Sequence, residues 1–184
     1  MTARKGTNAF TTKESSASEK RSQNTLSRII SELEFKDFSI DFSGYSVDEV
    51  YGTKIAINKN GKPARTFPDF GLILYKGKLV GFGDNKYQKS SQNACERVSL
   101  YHQDSIAMGL DPKRVLIVLD GPGFSPHNDE GHIPGSTGKQ VVRCKSFFTT
   151  LVNPTEQELY DGIRQYLRRI MREEGSMGIL GVAA

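Results

Sequence analysis

Two acidic residues and a lysine stand where they can share one site. Asp69 directly precedes the apolar run 70–75, and Asp84 and Lys86 follow the apolar run 79–82. The turn residues at 76–78 between the two runs are typical of a β-hairpin. Antiparallel pairing brings the start of one strand beside the end of the next, so we expect Asp69 and Asp84 to meet. Because side chains alternate along a strand, Asp84 and Lys86 should lie on the same face.

This combination of groups suits the hydrolysis of a phosphodiester. Two carboxylates supply oxygen ligands for a hard cation such as Mg²⁺, which keeps positions for water and for a substrate phosphate. Such an ion acidifies or positions water and neutralises the charge that builds up on phosphoryl oxygens. The ammonium group of Lys86 would contact the phosphate and help to orient the water. Asp69, Asp84 and Lys86 are therefore the candidate catalytic residues.

The same residues resemble a known nuclease signature. Pro68-Asp69 followed by Asp84-Asn85-Lys86 resembles the PD-(D/E)xK motif. The continuation through Gln88 to the segment 93–97, Asn-Ala-Cys-Glu-Arg, is similar to the EcoRI/MunI group of type II restriction endonucleases. In that group an E-x-K-x-Q strand end precedes a G-N-A-x-E-R segment that recognises the inner AATT of the site. The similarity spans roughly residues 67–124, about a third of the chain.

Three positions differ from the pattern of that group. Asp84 replaces a glutamate, which shortens the arm that reaches the metal. Asn85 replaces a small or apolar residue that would face the core, so we expect that side of the sheet to be partly polar. Gln92 stands where the group has glycine, at the point where the backbone would approach DNA.

The resemblance implies an activity and a metal site. It implies Mg²⁺-dependent hydrolysis of double-stranded DNA at a short palindromic site with an AATT core, leaving 5′-phosphate ends. Asp69 and Asp84, with the main-chain carbonyl of Asn85, would hold the metal. A palindromic site implies a symmetric homodimer in which each subunit cuts one strand.

The candidate DNA-binding residues follow the second strand of the hairpin. Ser91 is a plausible N-cap for a helix running to about Met108, whose first turns would favour phosphate and could enter the major groove. Asn93 has the donor and the acceptor needed to bind adenine, and Arg97 can donate to base acceptors. Ala94 could instead pack in an apolar stripe. The predicted contact residues are Gln88, Lys89, Asn93, Ala94, Glu96 and Arg97.

Composition restricts the class of protein. A chain of 184 residues is expected to form one domain, and 36% hydrophobic residues with a mean hydropathy of −0.47 argue against a membrane protein. The net charge of +4 favours an anionic partner. Two distant cysteines fit a reduced, cytoplasmic compartment. The segment 135–140 is not a P-loop, because Ile133 stands at the first glycine position and Gln140 at the Ser/Thr position, so no nucleotide triphosphate site is predicted.

The remaining pattern predicts an α/β fold, with a single domain whose central mixed sheet is flanked by helices. The resemblance implies that this is the fold of the restriction endonucleases. We expect a flexible basic arm over 1–24, the endonuclease domain over 25–174 and a frayed tail over 175–184. Within the domain we expect a helix over 25–35, strands over 53–57 and 114–120, a Gly/Pro-rich loop over 121–140, one or two strands within 141–152 and a helix over 155–173. Glu32 or Glu34 on the first helix is a possible accessory acid.

Two other functions stay open at this point. One is a structure-specific repair or resolvase nuclease of the same superfamily, which the 93–97 segment disfavours. The other is a non-catalytic DNA-binding protein, which the complete set of Asp69, Asp84 and Lys86 disfavours. The loop from His127 to His132 contains metal-ligand residue types, but no regular spacing orients them, and a surface or DNA-proximal loop is the simpler interpretation.

Overall fold

A five-stranded mixed sheet forms the middle layer of the protein. The computed structural model describes residues 8–54, 57–89, 96–127, 131–133 and 135–180, with backbone only for 8–12, 96–98 and 177–180. The helices are α1 Asn8–Ile30, α2 Val47–Tyr51, α3 Glu96–Ala107, α4 Gly135–Phe147 and α5 Glu156–Leu180. The strands are β1 Phe38–Asp41, β2 Tyr45–Ser46, β3 Arg65–Thr66, β4 Leu72–Tyr75, β5 Lys78–Tyr87, β6 Val115–Asp120 and β7 Thr149–Val152.

The strand order in the sheet is β1-β4-β5-β6-β7. The pairs β1/β4 and β4/β5 are antiparallel, whereas β5/β6 and β6/β7 are parallel. Strands β2 and β3 form a separate antiparallel pair. The chain is thus α/β with a single domain and a mixed sheet, as the sequence predicts.

Helices cover both faces of the sheet. On one face α1 and α5 pack against the sheet, with Leu26 and Ile163 in the same buried cluster as Leu116 and Val118. On the other face α3 and α4 pack, with Tyr101 and Cys144 among the buried residues. Strand β6 is covered on both sides, which explains why its sequence is almost continuously apolar.

A β-bulge sets the orientation of β5. The β4/β5 register shifts between Ile73 and Leu74, so that Val80 is an extra residue without a partner opposite it. Beyond the bulge, Phe82 lies in the cluster on the α3/α4 face, and regular alternation puts Asp84 and Lys86 on that face too. Asn85 points to the opposite side, toward α1.

Several predicted elements are confirmed. The hairpin forms as β4 and β5, the central strand as β6 and the terminal helix as α5, which continues to Leu180 and so replaces the described part of the predicted frayed tail. Helix α1 ends at Ile30 and is followed by a 3₁₀ turn at Leu33–Phe35, within the helix predicted for 25–35. Of the predicted strand 53–57, residues 55 and 56 lie outside the described residues, and Ile57 forms an isolated bridge to Pro63.

Two predictions are wrong. Residues 8–24 form the greater part of α1 and are not a flexible arm, while residues 1–7 lie outside the described residues. This part of α1 buries Ser18 and Ser22 against the sheet, and a hydropathy pattern does not detect a helical segment whose buried side chains carry hydroxyls. Residues 141–147 form helix and not strand, because Val141 and Cys144 are buried at helical spacing along α4.

None of the described helices is both long enough and apolar enough to cross a bilayer. Helices α1 and α5, which have the length, bear charged residues throughout.

The close packing at Gly83 gives a first testable prediction. A Cβ at this position would overlap the ring of Phe70 and lie 3.0 Å from the Leu116 carbonyl oxygen. Overpacking of this kind costs about 1–3 kcal/mol. We expect Gly83→Ala to lower the melting temperature by several degrees, since about 1 kcal/mol corresponds to 2–4 °C in a chain of this size.

The matched control is Gly175→Ala, in the exposed part of α5, where a Cβ would meet nothing within 4 Å. Alanine favours helix over glycine by up to about 1 kcal/mol, so this variant should be neutral or more stable. Equal melting temperatures for Gly83→Ala and the unmodified protein would contradict the packing around β5.

Candidate active site

Asp69 and Asp84 are held together by two reciprocal hydrogen bonds. The Asp69 amide donates to Asp84 Oδ1 at 3.2 Å, and the Asn85 amide donates to Asp69 Oδ2 at 3.1 Å. The Phe70 amide donates to the Gly83 carbonyl at 2.9 Å, which fixes the turn before β4 against β5. The expected meeting of the two carboxylates is therefore confirmed.

The environment of Asp84 makes its negative charge unfavourable. Asp84 is only 4% exposed. Burial raises the pKa of Asp84 well above its usual range, and the neighbouring Asp69 carboxylate raises it further. The Tyr101 hydroxyl forms a hydrogen bond with Asp84 that acts in the opposite direction on the pKa. A cation between the two carboxylates would favour their ionised forms and reverse the shift.

Lys86 lies on the same face of β5 as Asp84, two residues further along the strand. It is half-buried and pairs in register with Leu119 of β6. Lys86 makes no hydrogen bond or ion pair with another residue in the described part of the chain. Its ammonium group is therefore not committed to a structural partner there.

Asn85 faces α1 and is 7% exposed. Its Nδ2 donates to Ser18 Oγ at 2.9 Å, and Ser22 Oγ donates to its Oδ1 at 3.2 Å. Ser18 Oγ in turn donates to Asp120 Oδ2 at 2.5 Å, and Arg21 forms an ion pair with the same oxygen at 3.1 Å. The polar side of the sheet expected from Asn85 is confirmed, and it fastens α1 to the strand that bears Asp84.

The same helix brings a further acid close to the carboxylate pair. Gln23 Nε2 donates to the Asp69 carbonyl at 2.5 Å and to Glu19 Oε1 at 3.2 Å. Partial burial raises the pKa of Glu19, and the charge of Asp69 adds to the shift. The sequence pattern does not indicate Glu19, because residues 1–24 show no hydrophobic periodicity and are predicted to form a flexible arm. The signal available in the sequence was the i, i+4 spacing of Glu19 and Gln23.

The structure does not bring Glu32 or Glu34 to this site. Glu32 accepts a hydrogen bond from the Tyr160 hydroxyl at 2.6 Å. Glu34 accepts from Arg164 at 2.6 Å and from Arg168 at 2.5 Å, and these arginines lower the pKa of Glu34 to about 2. Both acids therefore tie the segment after α1 to α5, which is a structural role and not the predicted accessory role.

The predicted DNA-binding residues are only partly described. Gln88 follows β5, and its buried Oε1 has no hydrogen-bond partner among the described residues. Lys89 Nζ forms an ion pair with Glu14 of α1 at 3.0 Å. Asn93 and Ala94 lie outside the described residues. Glu96 and Arg97 begin α3, so the predicted helix is present. The structure describes only the backbone of these two residues.

The donor set at the site is a pair of carboxylates. Within the described ranges, no group of three or more His, Cys, Asp and Glu side chains lies close enough to hold a metal. Glu19 is therefore an electrostatic neighbour of Asp69 in this arrangement. In the 127–132 loop the His127 amide donates to the His132 carbonyl at 2.9 Å, while residues 128–130 lie outside the described residues.

The raised pKa of Asp84 predicts a pH-dependent cost in stability. A raised carboxyl pKa contributes stability that is fully present below its usual value of 3.8 and is lost as pH rises through the raised value. Asn keeps the shape and the acceptor but has no charge. In EDTA at pH 8, Asp84→Asn should unfold at a temperature several degrees higher, since each unit of pKa shift is worth about 1.4 kcal/mol. The difference should disappear near pH 4.

Asp41→Asn is the matched control, because hydrogen bonds from Ser43 lower the pKa of Asp41. Asp41→Asn should therefore be less stable than the unmodified protein at neutral pH, whereas Asp84→Asn should be more stable. Added Mg²⁺ should stabilise the unmodified protein more than Asp84→Asn. Melting curves of Asp84→Asn and the unmodified protein that coincide from pH 4 to pH 8 would show that burial and the nearby Asp69 do not disfavour the charge of Asp84.

Comparison with known proteins assigns no family to this chain. No protein-family model matches it, and neither a curated protein nor a solved structure does so with significant similarity.

Proposed function

We propose that the protein is a Mg²⁺-dependent endonuclease that hydrolyses phosphodiester bonds of double-stranded DNA. The observation that supports this most directly is the reciprocal pairing of Asp69 and Asp84 through main-chain amides, with Lys86 on the same face of β5. The motif resemblance from Pro68 to Arg97 points to the same activity from the sequence alone.

The residues present fit a magnesium ion. Carboxylate oxygens are the hard donors that Mg²⁺ prefers, and a site with few protein ligands leaves room for water and phosphate. Burial and the neighbouring charge of Asp69 both raise the pKa of Asp84, and a divalent cation at the site would oppose both effects. Asp69, Asp84 and the main-chain carbonyl of Asn85 would hold the ion. When bound, it would supply Lewis-acid polarisation of the phosphate and a more acidic water.

The chain's own groups have distinct roles in this scheme. Lys86 binds the phosphate that is cleaved and orients the attacking water, for which a compact ammonium with three donors is suited. Gln23 holds the Asp69 main chain in place by its hydrogen bond of 2.5 Å. Glu19 adds negative charge next to Asp69, which strengthens attraction for a cation. The network around Asn85 keeps these α1 residues at the site.

The expected recognition site follows from the sequence alone. A short palindromic site with an AATT core, 5′-phosphate ends and a homodimer follow from the resemblance at 93–97 to the type II restriction endonucleases. Such an enzyme would act in the cytoplasm, where the two distant cysteines stay reduced. The basic net charge of +4 suits a DNA substrate.

The test is cleavage of a plasmid containing several AATT sequences, in Mg²⁺ and in EDTA, with sequencing of the product ends. We expect discrete fragments with 5′-phosphates at AATT in Mg²⁺ only. Asp69→Ala, Asp84→Ala and Lys86→Ala should each lower the rate at least about 100-fold, the scale of losing one transition-state contact. Lys76→Ala is the matched control, since Lys76 lies in the exposed hairpin turn. This variant should cleave the plasmid at the normal rate.

Other outcomes of the cleavage assay would indicate a different function. Cutting of branched or damaged DNA without a sequence preference would replace the restriction activity by a structure-specific nuclease. DNA binding without strand scission in Mg²⁺ would indicate a binding protein. A plasmid left intact and unbound under every condition would refute the proposal.

A further inference from the structure

A cavity of about 370 Å³ opens beside the carboxylate pair, between β3 and α3. Its size lies in the lower part of the range for small-molecule sites in proteins. The cavity is lined by Arg65, Thr66, Phe67, Leu100, Tyr101 and Asp104. None of these residues has a role in the hydrolysis proposed above.

The cavity and the carboxylate pair share a wall. Tyr101 lines the cavity, and its hydroxyl forms a hydrogen bond with Asp84. Tyr101 is 5% exposed, and its ring packs edge-on against Phe82 of β5 with the centroids 5.6 Å apart. Phe67 lies two residues before Asp69 in the chain. A group held in the cavity would therefore lie next to a phosphate held at Asp69 and Asp84.

Two apolar side chains of the lining are left in solvent. Phe67 is 61% exposed and Leu100 is 54% exposed, although both are large hydrophobic residues. Phe67 comes from the segment after β3 and Leu100 from α3, so the cavity has apolar groups on two sides. An unstacked nucleobase presents two flat apolar faces, and aromatic side chains stabilise such a base by stacking.

The buried lining of the cavity includes a hydrogen-bond acceptor, the carboxylate of Asp104. Asp104 is 7% exposed, and its two oxygens accept hydrogen bonds from the Tyr45 and Tyr51 hydroxyls, the second at 2.8 Å. Each carboxylate oxygen has a second lone pair for a ligand. A carboxylate that is held by two donors in this way can accept from a further N–H group but cannot donate. It therefore selects ligands that present an N–H group, such as the exocyclic amino group of a nucleobase.

Arg65 adds donors at the same cavity. Its Nε donates to the Ser43 carbonyl at 3.0 Å and its NH2 to the Gly44 carbonyl at 2.7 Å. These two contacts hold the guanidinium in place while using two of its five N–H groups. The remaining donors suit a base oxygen, a ring nitrogen or a phosphate.

We propose that this cavity binds one nucleobase with an exocyclic amino group, taken out of the base stack next to the phosphodiester that is cleaved. Phe67 and Leu100 stack on the base, and Asp104 accepts from its amino group. Adenine, cytosine and guanine carry such an amino group, whereas thymine has only its ring N3–H as a donor. The inference rests on the proposed nuclease function for its substrate, and it adds that the enzyme distorts the DNA that it cuts.

The first test uses 2-aminopurine, whose fluorescence rises when it leaves the base stack. Duplexes containing AATT carry the probe at one position each and are mixed with the protein in Ca²⁺ in place of Mg²⁺, so that cleavage does not interfere. We expect a several-fold rise in fluorescence at one position next to the cleaved bond. Phe67→Ala should abolish the rise, and Leu100→Ala should reduce it. Both side chains are largely exposed, so folding should not depend on them.

Leu33→Ala is the matched control, since Leu33 is 84% exposed and lies in the 3₁₀ turn after α1, outside the cavity lining. It should give the full fluorescence rise. No rise at any position, or a rise that Phe67→Ala leaves unchanged, would overturn the inference.

The second test measures selectivity for the amino group. We expect single-stranded oligo-dA to bind about tenfold more tightly than an oligonucleotide of unsubstituted purine, whose base has no N–H group, by fluorescence anisotropy, on the scale of one buried acceptor left unpaired. Asp104→Asn, which can donate to a ring nitrogen of the unsubstituted purine, should bring the two affinities together. Leu33→Ala lies outside the cavity lining and should keep the preference for dA. Equal binding of the two oligonucleotides by the unmodified protein would refute the role of Asp104.

The two proposals fail in different ways. Plasmid cleavage without a fluorescence change would leave the nuclease in place and remove the base-binding cavity. A Phe67-dependent fluorescence change without cleavage in Mg²⁺ would leave the cavity in place and remove the nuclease. A protein that binds no DNA in either assay would refute both.

Discussion

The main-chain hydrogen bonds between Asp69 and the Asp84–Asn85 segment are the constraint on which the site depends. The Asp84 carboxylate accepts from the Asp69 amide at 3.2 Å and the Asp69 carboxylate from the Asn85 amide at 3.1 Å, so neither can move without losing a contact. The arrangement places two like charges together in a largely buried position, which is unfavourable without a cation or a proton. A structure that retains such a pair has to hold it rigidly, and β5 does so as the central strand of the sheet.

Helix α1 is the second support of the site. A buried asparagine in a central strand needs hydrogen-bond partners, because an unpaired amide in the core costs about 1–3 kcal/mol. Ser18 and Ser22 supply these partners, and Arg21 and Asp120 extend the contact to β6. The helix is thereby fixed at a definite rotation about its axis. That rotation directs Glu19 and Gln23 toward Asp69.

The α3/α4 face of the sheet connects the carboxylate pair to the nearby cavity. Tyr101 contacts Asp84 and also lines the space that ends at Asp104. Asp104 is paired with two tyrosines and Asp84 with one, so hydroxyl donors solvate both buried acids on this side. A ligand on this face would therefore meet a phosphate site and an acceptor site in succession.

Much of the centre of the fold was predictable from the sequence, because the relevant contacts are local. The β4/β5 hairpin, the buried strand β6 and the amphipathic helix α5 all follow from periodicity and turn residues over short stretches. The parts that were missed, residues 8–24 of α1 and the helix α4, bury Ser18, Ser22, Thr137 and Gln140. Hydropathy assigns such residues to the surface, so the helical period of these buried polar side chains gives no hydrophobic signal.

The sequence by itself determined that Asp69 and Asp84 meet and that Lys86 shares the face of Asp84. A hairpin joins neighbouring strands, and the alternation of side chains along a strand is a property of the backbone. Only the tertiary structure decided which acid stands beside the pair. Glu32 and Glu34 bind arginines of α5, more than a hundred residues away in the chain, while Glu19 reaches Asp69 because α1 packs on β5. That choice depends on how a helix is placed and rotated on the sheet, which distant contacts fix and local periodicity does not encode.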